Sequence, residues 1–168
     1  MQNNISLSEH FRLREFTESA TARKHGIVNE PPPEAVENLR RLCEGTLEPL
    51  REAIQLPIVI TSGFRCKELN RILAHSARRS QHLTGQAADF VVQGSKFRAQ
   101  SSRELLIQAF RMILTNPKIG FDQLILYPTF IHVSFVSKEK NRRGILLARG
   151  DGKLGYGRIT LANALKIS

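Results

Sequence analysis

From Glu34 onward, apolar residues recur at three- and four-residue spacing, at Val36, Leu39, Leu42, Cys43, Leu47, Leu50 and Ile54. That spacing aligns them along one buried stripe of a helix. Pro31-Pro32-Pro33 provides a rigid lead-in, and Pro49 is expected to kink the helix or break it in two. Upstream, Ser19 to His25 followed by Gly26 predicts a short helix with a glycine stop. The period then changes: Ile58-Val59-Ile60-Thr61 is a β-branched run ending at Ser62-Gly63, a strand that delivers Phe64-Arg65 to a loop or helix start. Glu68 to Leu73 suits a short helix, and Ala74 to Gly85 reads as a polar loop of a length usually kept for function. Ala87 to Val92 predicts a strand and Ser102 to Leu114 an amphipathic helix. Phe121 to Tyr127 and Phe130 to Phe135 predict two more strands, joined through Pro128-Thr129, and Gly150 to Gly157 a loop or irregular hairpin. Together these elements describe a single α+β domain with helices against a largely antiparallel sheet.

Composition narrows the class without naming a function. A chain of 168 residues with 41% hydrophobic residues fits one compact domain with a real core, expected to be a monomer. No apolar run approaches the ~20 residues that span a bilayer, so no membrane insertion is expected. Met1-Gln2-Asn3-Asn4-Ile5 lacks the basic region and apolar core of a signal peptide, which predicts a product that is cytoplasmic as synthesised. Cys43 and Cys66 have no short metal-type spacing and are read as reduced packing residues. The net charge of +10 points to an anionic partner, whether nucleic acid, a membrane surface or an anionic polymer such as cell wall, with a solvated surface kept soluble by charge as the other reading. The basic excess gathers from Val136 onward, but it lacks a run of interleaved aromatics for base stacking and matches no nucleic-acid motif, so nucleic acid is not expected.

Candidate chemistry concentrates in two strings, Ser80-Gln81-His82-Leu83-Thr84-Gly85-Gln86-Ala87-Ala88-Asp89 and Phe130-Ile131-His132-Val133-Ser134. Alternation puts His132 and Ser134 on one strand face and Ile131, Val133 and Phe135 on the other, so His132 looks away from the core into something polar. Asp89 sits between two alanines and Phe90-Val91-Val92, a costly place for a carboxylate unless it is paired or binds a cation. Small Gly85, Ala87 and Ala88 allow close approach, and a turn at Thr84-Gly85 can fold His82 back toward Asp89. Two histidines and an aspartate suit a zinc site with an open fourth position, and suit other divalent ions too. On spacing alone, a satisfied strand histidine and a capping aspartate remain open as the alternative. His10, His25 and His75 lie in polar or helical contexts without partners and are read as surface residues.

Ser62-Gly63-Phe64-Arg65, Glu68-Leu69-Asn70, Ser80 to Asp89, Phe121-Asp122-Gln123-Leu124-Ile125 and Ile131-His132-Val133-Ser134 resemble, in order, the zinc D-Ala-D-Ala peptidases, particularly their small carboxypeptidase-type branch. The resemblance runs from about Leu13 to about Ser134. It implies the hedgehog / D-Ala-D-Ala zinc peptidase fold, with residues 1–137 as the peptidase-like domain and 138–168 as a basic, glycine-containing extension packed on it. It also implies that His82, Asp89 and His132 are zinc ligands and that Arg65 engages substrate near its terminal carboxylate, as a guanidinium fork can. Ser80 matches a substrate-holding polar residue, with a cap or loop serine as its other reading.

The implied reaction is metal-assisted amide hydrolysis of D-amino-acid-containing stem peptides of peptidoglycan, as a D,D-carboxypeptidase or an endopeptidase. The setting would be a cytosolic dipeptidase-like role or a phage or prophage lysin. A carboxylate base should accompany the metal. Relatives carry that acid where this chain has Tyr127 or Thr129, and neither can serve. Asp122 is the nearest upstream acid and the candidate base, although alternation would put it on the side of Leu124 and Leu126. The departure keeps a second function open, a zinc-containing cell-wall-binding module with weak or lost catalysis.

Overall fold

The computed structural model describes residues 5–74, 76–94, 101–148 and 156–167, so His75 and most of the Gly150 to Gly157 segment lie outside the described residues. Two single-turn helices open the chain, α1 (Leu13–Thr17) and α2 (Ala20–Lys24). Ser19 caps α2 by accepting the Ala22 N–H, and Gly26 ends it at φ +63°, as the glycine stop requires.

The long apolar stripe folds as one helical run: α3 (Pro33–Leu42), a π-helical turn (Cys43–Leu47) and α4 (Glu48–Ile54). Pro49 therefore neither breaks the run nor ends it. Proline has no N–H to give back to the preceding turn, and the chain widens there, with the Glu48 N–H reaching back to the Cys43 carbonyl. Leu39, Leu42, Cys43, Leu47 and Leu50 are all buried on the inward face.

Next come β1 (Ile58–Ser62), α5 (Lys67–Ile72), β2 (Ala87–Val92) and α6 (Ser102–Thr115). They lead to β3 (Gln123–Leu126), β4 (Ile131–Ser134), β5 (Gly144–Ala148), β6 (Tyr156–Arg158) and the short α7 (Leu161–Ala164). The six strands form one sheet in the order β1-β2-β4-β3-β5-β6, antiparallel throughout except for the β3–β5 pair. The architecture is thus the expected α+β domain with a largely antiparallel sheet. Strand β5 was not anticipated: a parallel partner needs a crossover connection, and no hairpin signal announces it.

One sheet face builds the core. Ala88 and Phe90 of β2, Ile131 and Val133 of β4, and Leu124 and Leu126 of β3 point into it and meet α6, which packs on β2, β3 and α4. Pleating sends the intervening residues, Asp89, His132 and Ile125, to the opposite face, where they stand in register across β2, β4 and β3. No described helix is long and apolar enough to cross a membrane.

Cys43 is fully buried in the core, and burial pushes its thiol far above the ordinary range. Cys66 caps α5 and is partly exposed, and both cysteines are free. A thiol reagent applied to the native protein should therefore label Cys66 and reach Cys43 only on unfolding. Peptide mass mapping with and without denaturant checks this, and native labelling of Cys43 would contradict it.

Candidate metal centre

His82 is delivered by local backbone chemistry. Ser80 starts a 3-10 turn (Gln81–Thr84) by accepting the His82 N–H at 3.3 Å, and Gly85 closes it at φ +71°. Asn38 Nδ2 donates to the Thr84 carbonyl at 2.9 Å, tying the turn to α3. A Cβ at Gly85 would lie 2.3 Å from the Ala35 carbonyl oxygen, so the turn can lie this close to α3 only with glycine there.

The loop after β1 orients the ring. Asn29 Nδ2 donates to the Thr17 and Phe64 carbonyls at 3.0 Å each, and its Oδ1 accepts the Cys66 N–H at 2.8 Å. The loop so held brings the Gly63 carbonyl 2.6 Å from His82 Nδ1. A carbonyl can only accept, so Nδ1 carries the proton and Nε2 presents a lone pair. The ring is 2% exposed, and burial lowers its pKa, favouring the neutral form that binds metals.

Asp89 and His132 arrive from neighbouring strands as a directly opposed pair. His82 Nε2 lies 3.3 Å from His132 Nδ1 and 3.3 Å from Asp89 Oδ1, and His132 Nδ1 lies 2.7 Å from the same oxygen. Zinc bonds of about 2.0–2.1 Å at tetrahedral angles would separate neighbouring ligand atoms by about 3.3 Å. Two of the three edges meet that spacing, and the third is drawn in by the hydrogen bond between His132 and Asp89. The three donors thus fit a tetrahedral cation with one corner left open.

Burial opposes the negative charge on Asp89, but the hydrogen bond from His132 and the other groups beside it outweigh it and hold the carboxyl far below its ordinary range. Its other oxygen, Oδ2, accepts from Arg65 Nη2 at 2.9 Å. Arg65 is braced in turn by Ser62 Oγ, which accepts from Nε at 3.0 Å and Nη2 at 2.9 Å. A bulge in β1 sets Ser62 opposite Asp89 and makes this brace possible.

The triad lies in a cleft of about 600 Å³ whose lining includes Arg65, Arg79, Ser80, Ile125, Lys140 and Arg142. Tyr127 and Phe130 line it as a stacked pair, rings 4.3 Å apart and 11° from parallel. Asp122 also faces the cleft, although alternation had placed it with Leu124 and Leu126; it precedes the first paired residue of β3 and escapes the strand's period. It is 1% exposed, and both its oxygens accept from Arg142, with Gln81 Nε2 adding a bond of 3.0 Å. Burial works against its charge, but these bonds prevail and keep its pKa below the ordinary carboxylate value.

A family model described as peptidase M15 matches residues 9–134. The chain belongs to the peptidase M15 family. This is the family of zinc-dependent D-Ala-D-Ala peptidases, and membership supports metallopeptidase activity. No curated protein and no solved structure matches the chain. Every M15 site residue expected from the sequence lies inside the matched stretch, whereas Lys140 and Arg142 lie beyond it.

Sequence reasoning missed several parts of this candidate site. Ser62 and Gly63 stood in a family-like string without a role of their own, and nothing marks Arg142 in the linear chain, because each acts through a tertiary contact. Gln81 stood beside His82 without drawing notice. His10, read as partnerless, pairs with Glu48, which also accepts from Ser8 Oγ at 2.8 Å. His25 is exposed as expected. Glu9, His10 and Glu48 form a second group with metal-compatible spacing, but Glu9 and His10 are exposed.

Gly85→Ala should cost at least about 1 kcal/mol, since it strains a left-handed residue and drives a methyl into a backbone carbonyl. Urea denaturation of the metal-free protein checks this, and a midpoint equal to wild type would contradict it.

Proposed function

We propose that this chain is a zinc peptidase that hydrolyses D-amino-acid-containing stem peptides of peptidoglycan, as a D,D-carboxypeptidase or an endopeptidase. The observation that carries the reading is the convergence of His82 Nε2, His132 Nδ1 and Asp89 Oδ1 in a cleft of an M15 chain. On this reading these three side chains hold the metal, leaving one coordination position to the cleft. Zinc bound there supplies Lewis acidity and lowers the pKa of a water to roughly 7.

The chain's own residues supply the rest. Gly63 fixes the His82 tautomer, and Arg65 draws Asp89 Oδ2 away so that Oδ1 faces the histidines. Arg65 also lines the cleft, where a substrate carboxylate can reach its guanidinium. Ser80 uses its oxygen to cap the 82 turn, so its role here is to place His82. Asp122 is a poor base, because both its oxygens are held and its pKa lies low. Its role is structural. A net charge of +10 suits action on the anionic cell wall, the setting expected of a phage- or prophage-derived enzyme.

One observation favours a second reading, the zinc-containing wall-binding module. Among the described residues lining the cleft, the only carboxylates are Asp89 and Asp122, and both are engaged. Purified, zinc-loaded protein incubated with muropeptides separates the two. Chelator-sensitive release of D-Ala or of cleaved cross-links supports the peptidase, whereas wall binding without turnover supports the module.

At saturating zinc, Asp122→Asn should lower turnover by less than about 10-fold, because loss of a general base costs about 10²–10⁴. A loss in that larger range, with the fold intact by circular dichroism, would make Asp122 the base after all.

A further inference from the structure

We propose that Arg142, which lies past the family-matched stretch, is a positioning residue for the metal centre, acting through Asp122 and Gln81 on the turn that presents His82. The inference rests on the reading of His82 as a metal ligand.

Asp122 is a carboxylate almost without solvent, so its charge must be met inside the protein. Arg142 meets it three ways: its backbone N–H reaches Oδ1 at 2.7 Å, Nε reaches Oδ1 at 2.9 Å, and Nη2 reaches Oδ2 at 2.5 Å. Such a fork matches a carboxylate in a way that an ammonium cannot. The Gln81 amide bridges the same pair, with Nε2 donating to Asp122 Oδ2 at 3.0 Å and Oε1 accepting from Arg142 Nη2 at 3.4 Å.

Gln81 opens the 3-10 turn and directly precedes His82. Its carbonyl accepts the Gln86 N–H at 3.0 Å and Thr84 Oγ1 at 3.1 Å, so fixing Gln81 fixes both ends of the turn. Arg142 is itself held by the fold: the Gly144 N–H donates to the Asp122 carbonyl at 2.8 Å, where β5 joins β3, and Asn141 Oδ1 accepts the Val136 N–H at 2.9 Å. The contacts thus run continuously from β5 through Asp122 and Gln81 to a ring whose placement sets the site. Partners that orient metal ligands from behind typically govern affinity by about 10–100-fold.

Zinc affinity of the full-length chain, measured by competition with a chromophoric chelator, tests the proposal in wild type, Gln81→Ala, Arg142→Ala, Arg142→Lys and the Gln81→Ala/Arg142→Ala double variant. Each alanine variant should bind zinc about 10-fold or more weakly. The double variant should be no worse than the weaker single, since both act through one contact, and Arg142→Lys should recover only part of the loss. Should Arg142→Ala fail to fold, Gln81→Ala carries the test, because it leaves the Arg142–Asp122 pair intact. Folded variants that bind zinc within about twofold of wild type, or losses that multiply in the double variant, would overturn the proposal. A merely structural role would lower the melting temperature of the metal-free protein without changing the affinity of what remains folded, and that result also overturns it. If wild type binds no zinc, the metal centre itself falls and this inference with it; if wild type binds and the variants match it, only this inference falls.

Discussion

The buried carboxylate of Asp89, at the middle of β2, is the constraint on which the rest of the site depends. Flanked by strands on both sides and 8% exposed, it is stable as an anion because Arg65 and His132 donate to it, with His82 set beside them. Removing one partner from such a buried arrangement typically costs about 3–5 kcal/mol, because a charge is left unmatched. These groups come from three places: the neighbouring β4, the loop after β1 and the 3-10 turn before β2. Each must be correctly placed before Asp89 can be buried, so formation of the fold and formation of the site are one event.

That coupling explains details that would otherwise look incidental. The β1 bulge exists where Ser62 must brace Arg65, and glycine stands at 63 and 85 where the chain passes against Phe16 and Ala35. The two histidines present opposite ring nitrogens to the same space, Nε2 from His82 and Nδ1 from His132, because one is fixed by a carbonyl behind it and the other by the strand pairing beside it. Arg142 and Asp122 repeat the logic of Arg65 and Asp89 at the far wall of the same cleft, a buried carboxylate gripped by a fork.

The elements with strong local signals were legible in the chain. Strand β2 spans the predicted residues, α6 the predicted amphipathic run with one further residue, and the apolar stripe after Pro33 is the helical face on which the core rests. The less legible places were those where a nonlocal partner decides. Pro49 was expected to kink or break its helix; the run does not break but continues through a π turn next to the proline. Asp122 obeyed a buried ion pair and not the strand period, and β5 formed only because β3 offered a free edge.

By itself the sequence determined the α+β class, the helical and strand segments with strong local signals and the identity of the M15 motifs, because periodicity, turn residues and short strings are properties of neighbours along the chain. It also singled out His82, Asp89 and His132, since an aspartate between two alanines and the apolar run Phe90-Val91-Val92, and a polar histidine in an apolar strand, are anomalies visible locally. Only the tertiary structure decided which nitrogen each histidine presents, that Arg65 braces Asp89, and that Asp122 is held by an arginine from a later segment. Those facts depend on distances between residues far apart in sequence, and such distances exist only once the sheet has closed around its buried carboxylates.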